Sequence, residues 1–312
     1  MQVISAESVA EALAWPALIN RIGQTFIDGI EAPPRHHHSM QRHDGEATML
    51  LMPAWQSNGY IGVKIVNVFP QNADKGMPAI SGLYLLSDGS TGQPLACMDG
   101  SELTRRRTAA ASALAARKLA REDASHLVIV GTGKLAPMLI EAHAAVRPIR
   151  KVSVWGRNLS KAQSIADTYK GRFDTEAISD LEAGVRAADI VSCATLSTEA
   201  LVKGDWLKPG AHLDLVGAFK PVMRECDAAA VARSRVFVDT YAGAKGEAGD
   251  LLQARDEGHF DYANIGADLA ELQRGERPGR QSDQAITLFK SVGASLEDLA
   301  AAIEVWEQVS KT

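Results

Sequence analysis

The spacing of apolar residues changes along the chain and separates two kinds of segment. Leu18, Ile22 and Phe26 recur four apart and predict a helix. A shorter helix with Ser5 as its N-cap precedes it, and a loop with the sequence PPRHHH follows. The next elements are the predicted strands Thr48–Met52, Tyr60–Phe69, Ser81–Leu86 and Pro94–Met98, a hairpin turn at Ser87–Gly92, and an alanine-rich helix at Ser101–Arg121. This order predicts an α+β unit over about the first 120 residues.

The stretch from His126 to Asn158 has the pattern of a strand, a helix and a second strand. A short apolar run, Leu127 to Val130, suits a buried strand, and GTGKLA follows it directly. Gly131 permits a tight turn, Gly133 lets backbone approach a pyrophosphate, and Ala136 is small enough for close helix–strand packing. The helix that begins there offers free N–H groups to phosphates. This βαβ unit therefore predicts dinucleotide binding.

Strands continue to alternate with helices after this unit, which is typical of a doubly wound parallel sheet of the Rossmann type. The further predicted elements are helices at Ser160–Tyr169 and Asp180–Ala187 and strands at Ile190–Ala194, Leu213–Gly217 and Val236–Asp239. A final amphipathic helix, Ser295–Val309, is expected to pack back on the first unit. We therefore predict an α/β protein with a dinucleotide-binding domain at 121–293 and a second α+β domain at 1–120 plus about 294–312.

Composition narrows the function classes. The 312 residues carry a net charge of −5, which favours neither nucleic acid nor an anionic membrane as a partner. No apolar run has the length of a membrane-spanning helix, and the first residues lack a signal-peptide pattern. The three cysteines are scattered, as in a reduced cytoplasmic protein. We expect a cytoplasmic protein that acts on a small molecule.

Several short strings, in order along the chain, resemble the ornithine cyclodeaminase/mu-crystallin family. They are Gly62–Asn67, Asp99–Gly100, Leu103–Ser112, the GTGKLA turn, Ala194–Thr195, Lys208–His212, Val216–Gly217, Gly279–Asp283 and Phe289–Gly293. The strings around Lys64 and at Arg107–Ala113 are more specific than the glycine motif. The resemblance implies a homodimer of two-domain subunits in which the non-Rossmann domain carries the substrate and subunit contacts. It also implies nicotinamide chemistry on an α-amino or α-imino acid.

Three cationic residues are the candidates for binding a substrate carboxylate. Arg107 lies in an alanine-rich helix, and a guanidinium can hold a carboxylate through two parallel hydrogen bonds. Lys64 lies inside an apolar strand, where the resemblance makes it a second carboxylate contact or a proton donor to the imine nitrogen. The third cation of the family lies in the early loop, where Arg35 is our choice and Arg42 the alternative.

The neighbouring histidines, His36 to His38, do not predict a metal site. Consecutive residues do not readily converge on one ion, and no spaced set of Cys, Asp or Glu accompanies them. A contact at the entrance of the substrate pocket and a solvated loop both stay open. We predict no metal.

Phe219 marks a departure from the family pattern. Ornithine-cyclising and alanine-oxidising members carry an acid shortly after the VG pair, whereas Val216-Gly217 here is followed by Ala218 and Phe219, and a phenyl ring cannot act as a base. This favours reduction of a preformed cyclic imine, Δ1-pyrroline-2-carboxylate to L-proline and also Δ1-piperideine-2-carboxylate to L-pipecolate. Ornithine cyclodeaminase, an alanine- or opine-type dehydrogenase and a non-catalytic NADPH-binding crystallin-like protein remain as alternatives.

The second strand of the βαβ unit ends without the acid that binds the ribose 2′-hydroxyl in NAD enzymes. Arg157 stands there and could pair with a 2′-phosphate, which predicts a preference for NADPH over NADH. The predicted cofactor-binding residues are Thr108, Gly131, Thr132, Gly133, Lys134, Leu135, Ala136, Arg157, Asn158, Thr195, Val216 and Ser291.

Overall fold

The structure is a computed structural model that describes residues 1–311, except for the side chain of Ala73. The chain forms two compact units. Unit 1 consists of residues 1–107 and the chain from Ala294 onward, and unit 2 spans Thr108–Gly293. The boundary between the units therefore falls within the helix Gly100–Leu119, whereas the sequence predicted it near residue 120. Among the described residues, no helix has both the length and the apolar character needed to cross a bilayer.

Unit 1 is built on a six-stranded sheet with the strand order β1-β6-β5-β4-β3-β2. Only the β1–β6 pairing is parallel, and the other neighbours run antiparallel. Its elements are β1 (Gln2–Ile4), α1 (Ala6–Ala12), α2 (Trp15–Asp28), β2 (His36–Arg42), β3 (Gly45–Trp55), β4 (Tyr60–Val68), β5 (Ile80–Asp88), β6 (Pro94–Asp99), the start of α3 (Gly100–Leu119) and α11 (Ser295–Val309), with a 3-10 helix at Pro70–Lys75. Helices α1, α2 and α11 pack together and cover one face of this sheet.

Strand alternation decides which side chains of unit 1 are buried. On β4, Gly62 and Lys64 face inward, and across the sheet Lys64 pairs with Met52 on β3 and with Tyr84 on β5. Helix α11 contacts β4, β3 and β5, and all of residues 295–305 are buried. Lys64 therefore lies inside a largely apolar layer, where a charged group requires partners.

The prediction that His36 to His38 form a loop is wrong. These residues begin β2, and they pair with Leu51, Leu50 and Met49 of β3. Six of the seven residues of β2 are exposed, because β2 is an edge strand with little to pack against. A strand that buries neither face lacks the alternation of apolar and polar residues on which the prediction depended.

Unit 2 is an eight-stranded, wholly parallel sheet with the order β13-β12-β14-β11-β10-β7-β8-β9. Its elements are the end of α3, then β7 (His126–Val130), α4 (Ala136–Ala144), β8 (Lys151–Trp155), α5 (Leu159–Thr168), β9 (Asp174–Ile178), α6 (Leu181–Ala187), β10 (Ile190–Cys193), β11 (His212–Leu215), α7 (Ala228–Arg233), β12 (Arg235–Val238), α8 (Tyr241–Gly246), α9 (Gly249–Asp256), β13 (Ile265–Asp268), α10 (Leu269–Arg274) and β14 (Thr287–Lys290), with 3-10 helices at Gly204–Trp206 and Tyr262–Asn264. Strand order reverses between β7 and β10, the switch point at which such sheets bind ligands. The predicted doubly wound α/β class is confirmed.

Three strands of unit 2, β9, β13 and β14, were not predicted from the apolar pattern. Each spans only four or five residues, and β9 (DTEAI) and β13 (IGAD) contain acidic residues. Both of these are edge strands, where fewer apolar side chains are needed. Short, partly polar strands resemble loops by pattern alone.

Candidate functional site

In unit 1, Lys64 and Arg107 converge on one carboxylate. Lys64 is 2% exposed, and its Nζ lies 2.7 Å from Oδ2 of Asp298. Arg107 is 5% exposed, and its Nε donates to Oδ1 of the same aspartate at 2.8 Å. Its Nη1 donates to Glu297 Oε2 at 2.7 Å. We call these four residues, Lys64, Arg107, Glu297 and Asp298, the Lys64 cluster.

The two acids of the Lys64 cluster lie in the first turn of α11. Carboxylates are favoured at a helix N-terminus, because the peptide dipoles place partial positive charge there. Burial opposes ionisation of Asp298, but Arg107 and Lys64 together lower its pKa below the usual range. Asp298 therefore carries a negative charge that links a strand cation to a helix cation.

Burial and two nearby arginines oppose protonation of Lys64. Burial, followed by repulsion from Arg107 and Arg35, lowers the pKa of Lys64 to about 8 despite its ion pair with Asp298. Arg35 is thus close enough to act on Lys64 electrostatically. Arg42, the alternative, instead pairs with Asp44 at 3.0 Å and lies over the Phe69 ring. Of the two candidate arginines, Arg35 is the one that the structure brings near Lys64.

Tyr84 places a hydroxyl group beside this cluster. Its side chain is fully buried on β5, directly across from Lys64. Its oxygen occupies the space above Gly62, where an added Cβ would lie only 2.0 Å away. Burial and the charge of Asp298 raise the pKa of Tyr84, so the group is a neutral phenol. Within the described residues, the hydroxyl has no hydrogen-bond partner.

In unit 2, the glycine-rich turn has the geometry of a phosphate cradle. Gly131 has φ +125°, and an added Cβ would lie 2.7 Å from the Ala194 carbonyl oxygen. At Gly133, an added Cβ would meet no atom within 4 Å, so space is open above the turn. Among the described residues, no acceptor bonds the N–H groups of Thr132, Gly133 or Lys134. These donors precede α4, and they fit the pyrophosphate of a dinucleotide.

Arg157 lies exposed after β8, where it was predicted to contact a 2′-phosphate. The side chain of Asn158 is used locally as the N-cap of α5, since its Oδ1 accepts from the Lys161 N–H at 3.1 Å and from the Ser160 hydroxyl at 2.6 Å. The exposed charge of Arg157 is available to a ligand, since Arg157 has no ion-pair partner within residues 1–311.

A buried acid ties together the loops after β10 and β11. Glu225 Oε1 accepts from the N–H of Thr195 at 2.6 Å and from its hydroxyl at 2.9 Å, and Oε2 accepts from the Gly217 N–H at 2.7 Å. Asp250 Oδ1 accepts from the N–H groups of Glu225 and Cys226, and Lys290 Nζ lies 3.1 Å from Asp250 Oδ2. We call Glu225, Asp250 and Lys290 the Lys290 cluster. A carboxylate does lie beside Gly217, but backbone donors occupy it.

The remaining predicted residues lie at the same end of the sheet or on α3. Val216 is buried after β11, and Phe219 is half-buried two residues beyond Gly217. Ser291 is buried after β14, and its hydroxyl donates to Asp239 Oδ2 at 3.0 Å. Thr108 is half-buried on α3. Thr195, Val216 and Ser291 therefore follow the carboxyl ends of neighbouring parallel strands, the end that carries ligands in such sheets.

Comparison with known proteins decides the family. The model of the ornithine cyclodeaminase/mu-crystallin family matches residues 2–312. The chain belongs to this family. Among its relatives, the Δ1-pyrroline-2-carboxylate reductase of Colwellia psychrerythraea is 37% identical over 316 residues, which cover 99% of this chain and 100% of that protein.

Two solved structures of the same fold carry bound nicotinamide cofactors. The Thermococcus litoralis Δ1-pyrroline-2-carboxylate reductase in complex with NADH and L-proline aligns with a TM-score of 0.93 at 31% identity, and covers 100% of this chain and 98% of that chain. An archaeal alanine dehydrogenase dimer with bound NAD aligns with a TM-score of 0.91 at 29% identity, and covers 100% and 97%. The predicted family and fold class are confirmed.

The sequence prediction for this family member missed the acids of both clusters. Glu297 and Asp298 lie among Leu296, Leu299 and Ala300, in the part of α11 that is buried. Acids placed in such an apolar stretch require buried cations. That pattern was the available signal. For Glu225 and Asp250 we find no comparable signal in the sequence, because both lie in irregular stretches or short helices.

Proposed function

We propose that this chain is an NAD(P)H-dependent reductase of cyclic α-imino acids, which converts Δ1-pyrroline-2-carboxylate to L-proline and also Δ1-piperideine-2-carboxylate to L-pipecolate. The convergence of Lys64 and Arg107 in unit 1 carries this proposal. Arg35 adds positive charge near Lys64, and these three cations together would attract a substrate carboxylate. The named reductases among the relatives support the same reaction.

Arg107, Lys64 and Arg35 would hold the substrate carboxylate. Fixing the carboxylate also fixes the adjacent C=N bond, because the two groups share one carbon skeleton. When bound, the reduced nicotinamide supplies a hydride to the imine carbon. A buried lysine whose pKa is lowered to about 8 gives up a proton near neutral pH more readily than an ordinary lysine. Lys64 is therefore our candidate proton donor to the imine nitrogen.

Unit 2 would hold the cofactor through the GTGKLA turn, with Thr195, Val216 and Ser291 near the nicotinamide end and Arg157 near the adenosine end. Exposed Arg157 and the missing acid after β8 favour NADPH over NADH, since an acid would repel a 2′-phosphate. For unit 1 we propose the substrate and subunit contacts. A cytoplasmic homodimer is the corresponding assembly.

Phe219 argues against amine oxidation. The half-buried ring follows Gly217 where amine-oxidising members have an acid, and Glu225 cannot replace that acid because it is buried and bonded to Thr195 and Gly217. We therefore expect little or no conversion of L-ornithine to proline and ammonia. Phe219 would instead provide an apolar wall for a compact ring.

A substrate panel tests the proposed function. The purified protein is assayed with Δ1-pyrroline-2-carboxylate, Δ1-piperideine-2-carboxylate, pyruvate plus ammonia and L-ornithine, each with both nicotinamide cofactors. We expect kcat/KM for the cyclic imines to exceed the other values by at least about two orders of magnitude, the scale of a missing base. Ammonia release from ornithine at rates that match imine reduction, or a preference for pyruvate plus ammonia, would overturn it.

A further inference from the structure

Asp298 uses its two carboxylate oxygens on two different cations. Oδ1 accepts from Arg107 Nε at 2.8 Å, and Oδ2 lies 2.7 Å from Lys64 Nζ. The aspartate is fully buried and comes from α11, whereas its partners come from β4 and α3. Each oxygen of the carboxylate therefore lies against a different cation. The group is built to set the positions and charges of its two partners.

The charges around Lys64 make Asp298 decisive for the protonation state of the lysine. Arg107 on α3 and Arg35 before β2 repel the ammonium, and Tyr84 on β5 is a neutral phenol. Glu297 on α11 is paired with Arg107. Among the residues that the structure describes, Asp298 is the one group in direct contact that favours the protonated lysine. Without it, burial and two arginines would act together to remove the proton.

We propose that Asp298 is a positioning residue that keeps the Lys64 ammonium protonated and aimed, so that Lys64 donates the proton in imine reduction. This proposal rests on the proposed function. An N–H bond of Lys64 breaks and a new N–H bond forms at the imine nitrogen, which gives an iminium ion. The reduced nicotinamide, when bound, would supply a hydride to the former imine carbon: its own C4–H bond breaks, it is oxidised, and the π electrons of the C=N bond become the lone pair of the amine. Lys64 is left neutral and regains its proton from water.

The matched control is the adjacent acid. Glu297 has the same charge, lies in the same turn of α11 and pairs with Arg107, yet no ion pair joins it to Lys64. Asp298→Asn and Glu297→Gln thus each remove one buried negative charge at Arg107. Only Asp298→Asn removes the partner of the lysine. The difference between the two variants isolates the effect on Lys64.

The first readout needs neither substrate nor cofactor. Lysines are labelled with 13C at Cε, and the Lys64 signal is assigned by its absence from Lys64→Arg and followed by NMR against pH. We expect the pKa of Lys64 to fall by more than about one unit in Asp298→Asn, the scale of one lost opposite charge, and by clearly less in Glu297→Gln. An unchanged pKa of Lys64 in folded Asp298→Asn would overturn the proposal.

The second readout is the pH profile of kcat/KM for the cyclic imine. Activity should fall as pH rises through the pKa of Lys64, because the donor must be protonated. In Asp298→Asn this alkaline limb should move to lower pH by the shift that NMR measures, and in Glu297→Gln it should stay near its wild-type position. If NMR shows the shift but the wild type reduces no imine, the proposed function fails while the charge assignment stands. An alkaline limb that does not follow the lysine would overturn the role of Lys64 as donor.

If Asp298→Asn does not fold, Asp298→Glu provides the test. The longer side chain retains the charge but displaces it from Lys64 and Arg107. We expect a lysine pKa close to the wild-type value together with a kcat reduced at least about tenfold, since misplacement by an ångström is costly. Wild-type kcat in this variant would show that the position of the carboxylate is unimportant and would contradict the proposal.

Discussion

Lys64 on β4 and Lys290 on β14 are both almost completely buried, and each forms an ion pair with an aspartate in the first turn of a helix. The balance of charge around them is opposite. Lys64 lies near two arginines, and its pKa is lowered to about 8. Burial opposes protonation of Lys290 as well, but Asp250 and Glu225 together raise its pKa. The Lys64 cluster has two buried acids for two buried cations, with Arg35 acting on Lys64 as a third cation, whereas the Lys290 cluster has two acids for one cation.

The hydrogen bonds of the carboxylates indicate a different role for each of the two clusters. In the Lys290 cluster, burial raises the pKa of Glu225 above its usual range, and both oxygens accept hydrogen bonds from the loops after β10 and β11. The lysine neutralises acids that hold backbone, which is a structural task. In the Lys64 cluster, Arg107 and the nearby Arg35 both add positive charge around Lys64, and we expect an anionic ligand to bind to these side chains. Charge balance, more than burial, distinguishes the candidate catalytic lysine.

Replacing each lysine by methionine gives the strongest test of this comparison. We expect Lys64→Met to lower kcat/KM for the cyclic imine by about 10²–10⁴-fold, the usual contribution of a general acid, while the protein stays folded. Lys290→Met should lower the free energy of unfolding by about 3–5 kcal/mol, because Asp250 and Glu225 lose their buried cation. Urea unfolding and steady-state kinetics on both variants provide the measurements.

The two variants should differ in opposite ways: Lys64→Met should lose more activity, and Lys290→Met should lose more stability. The decrease in the free energy of unfolding should be less than about half as large in Lys64→Met as in Lys290→Met, because Asp298 keeps Arg107 as a partner. At a low temperature at which Lys290→Met is folded, its kcat/KM for the cyclic imine should be higher than that of Lys64→Met. The reverse order, with the larger loss of stability at Lys64, would contradict the assignment of the two clusters.

Arg107→Ala tests the carboxylate contact in unit 1. We expect kcat/KM to fall by at least about two orders of magnitude, since a lost charged hydrogen-bond pair is worth roughly 2–4 kcal/mol. Arg105→Ala is the control, because Arg105 lies on the same helix but pairs with Glu102 at a partly exposed position. That variant should stay within about twofold of the wild type. Near-normal kinetics in a folded Arg107→Ala protein would remove this arginine from the site.

The sequence was sufficient for those parts of the fold that depend on local pattern. The βαβ unit with its glycine turn, the helix at Ser295–Val309 and the strand that contains Lys64 all have apolar spacing that matches their burial. Edge strands such as β2 and β9 bury too little to show that spacing. Their pairing is decided by neighbouring strands that are distant in sequence.

For the site, the sequence identified cations but not the acids that set their charge. Lys64 and Arg107 are separated from Asp298 by most of the chain, and the chain alone does not give that proximity. Arg35 could not be separated from Arg42 by spacing, whereas the structure brings Arg35 near Lys64 and pairs Arg42 with Asp44. The candidate site depends on contacts between residues that are far apart in the sequence. The resemblance to the family identified the cations of the site, which local pattern alone could not do.

The smallest expected effect concerns Arg157 of unit 2. This exposed cation has no ion-pair partner within residues 1–311, and it extends the comparison to the cofactor-binding unit. We expect the wild type to prefer NADPH over NADH by about tenfold or more in kcat/KM, the scale of ~1.4 kcal/mol for one well-placed charge. Arg157→Ala should reduce that ratio towards one by lowering only the NADPH value, because NADH lacks the 2′-phosphate. Arg150→Ala is the matched control, since Arg150 is also exposed but precedes β8 at the opposite end of the strand. The ratio of this variant should stay unchanged. Equal use of both cofactors by the wild type, or a ratio that Arg157→Ala leaves intact, would show that this exposed charge does not select the cofactor and would limit the comparison to the two buried lysines.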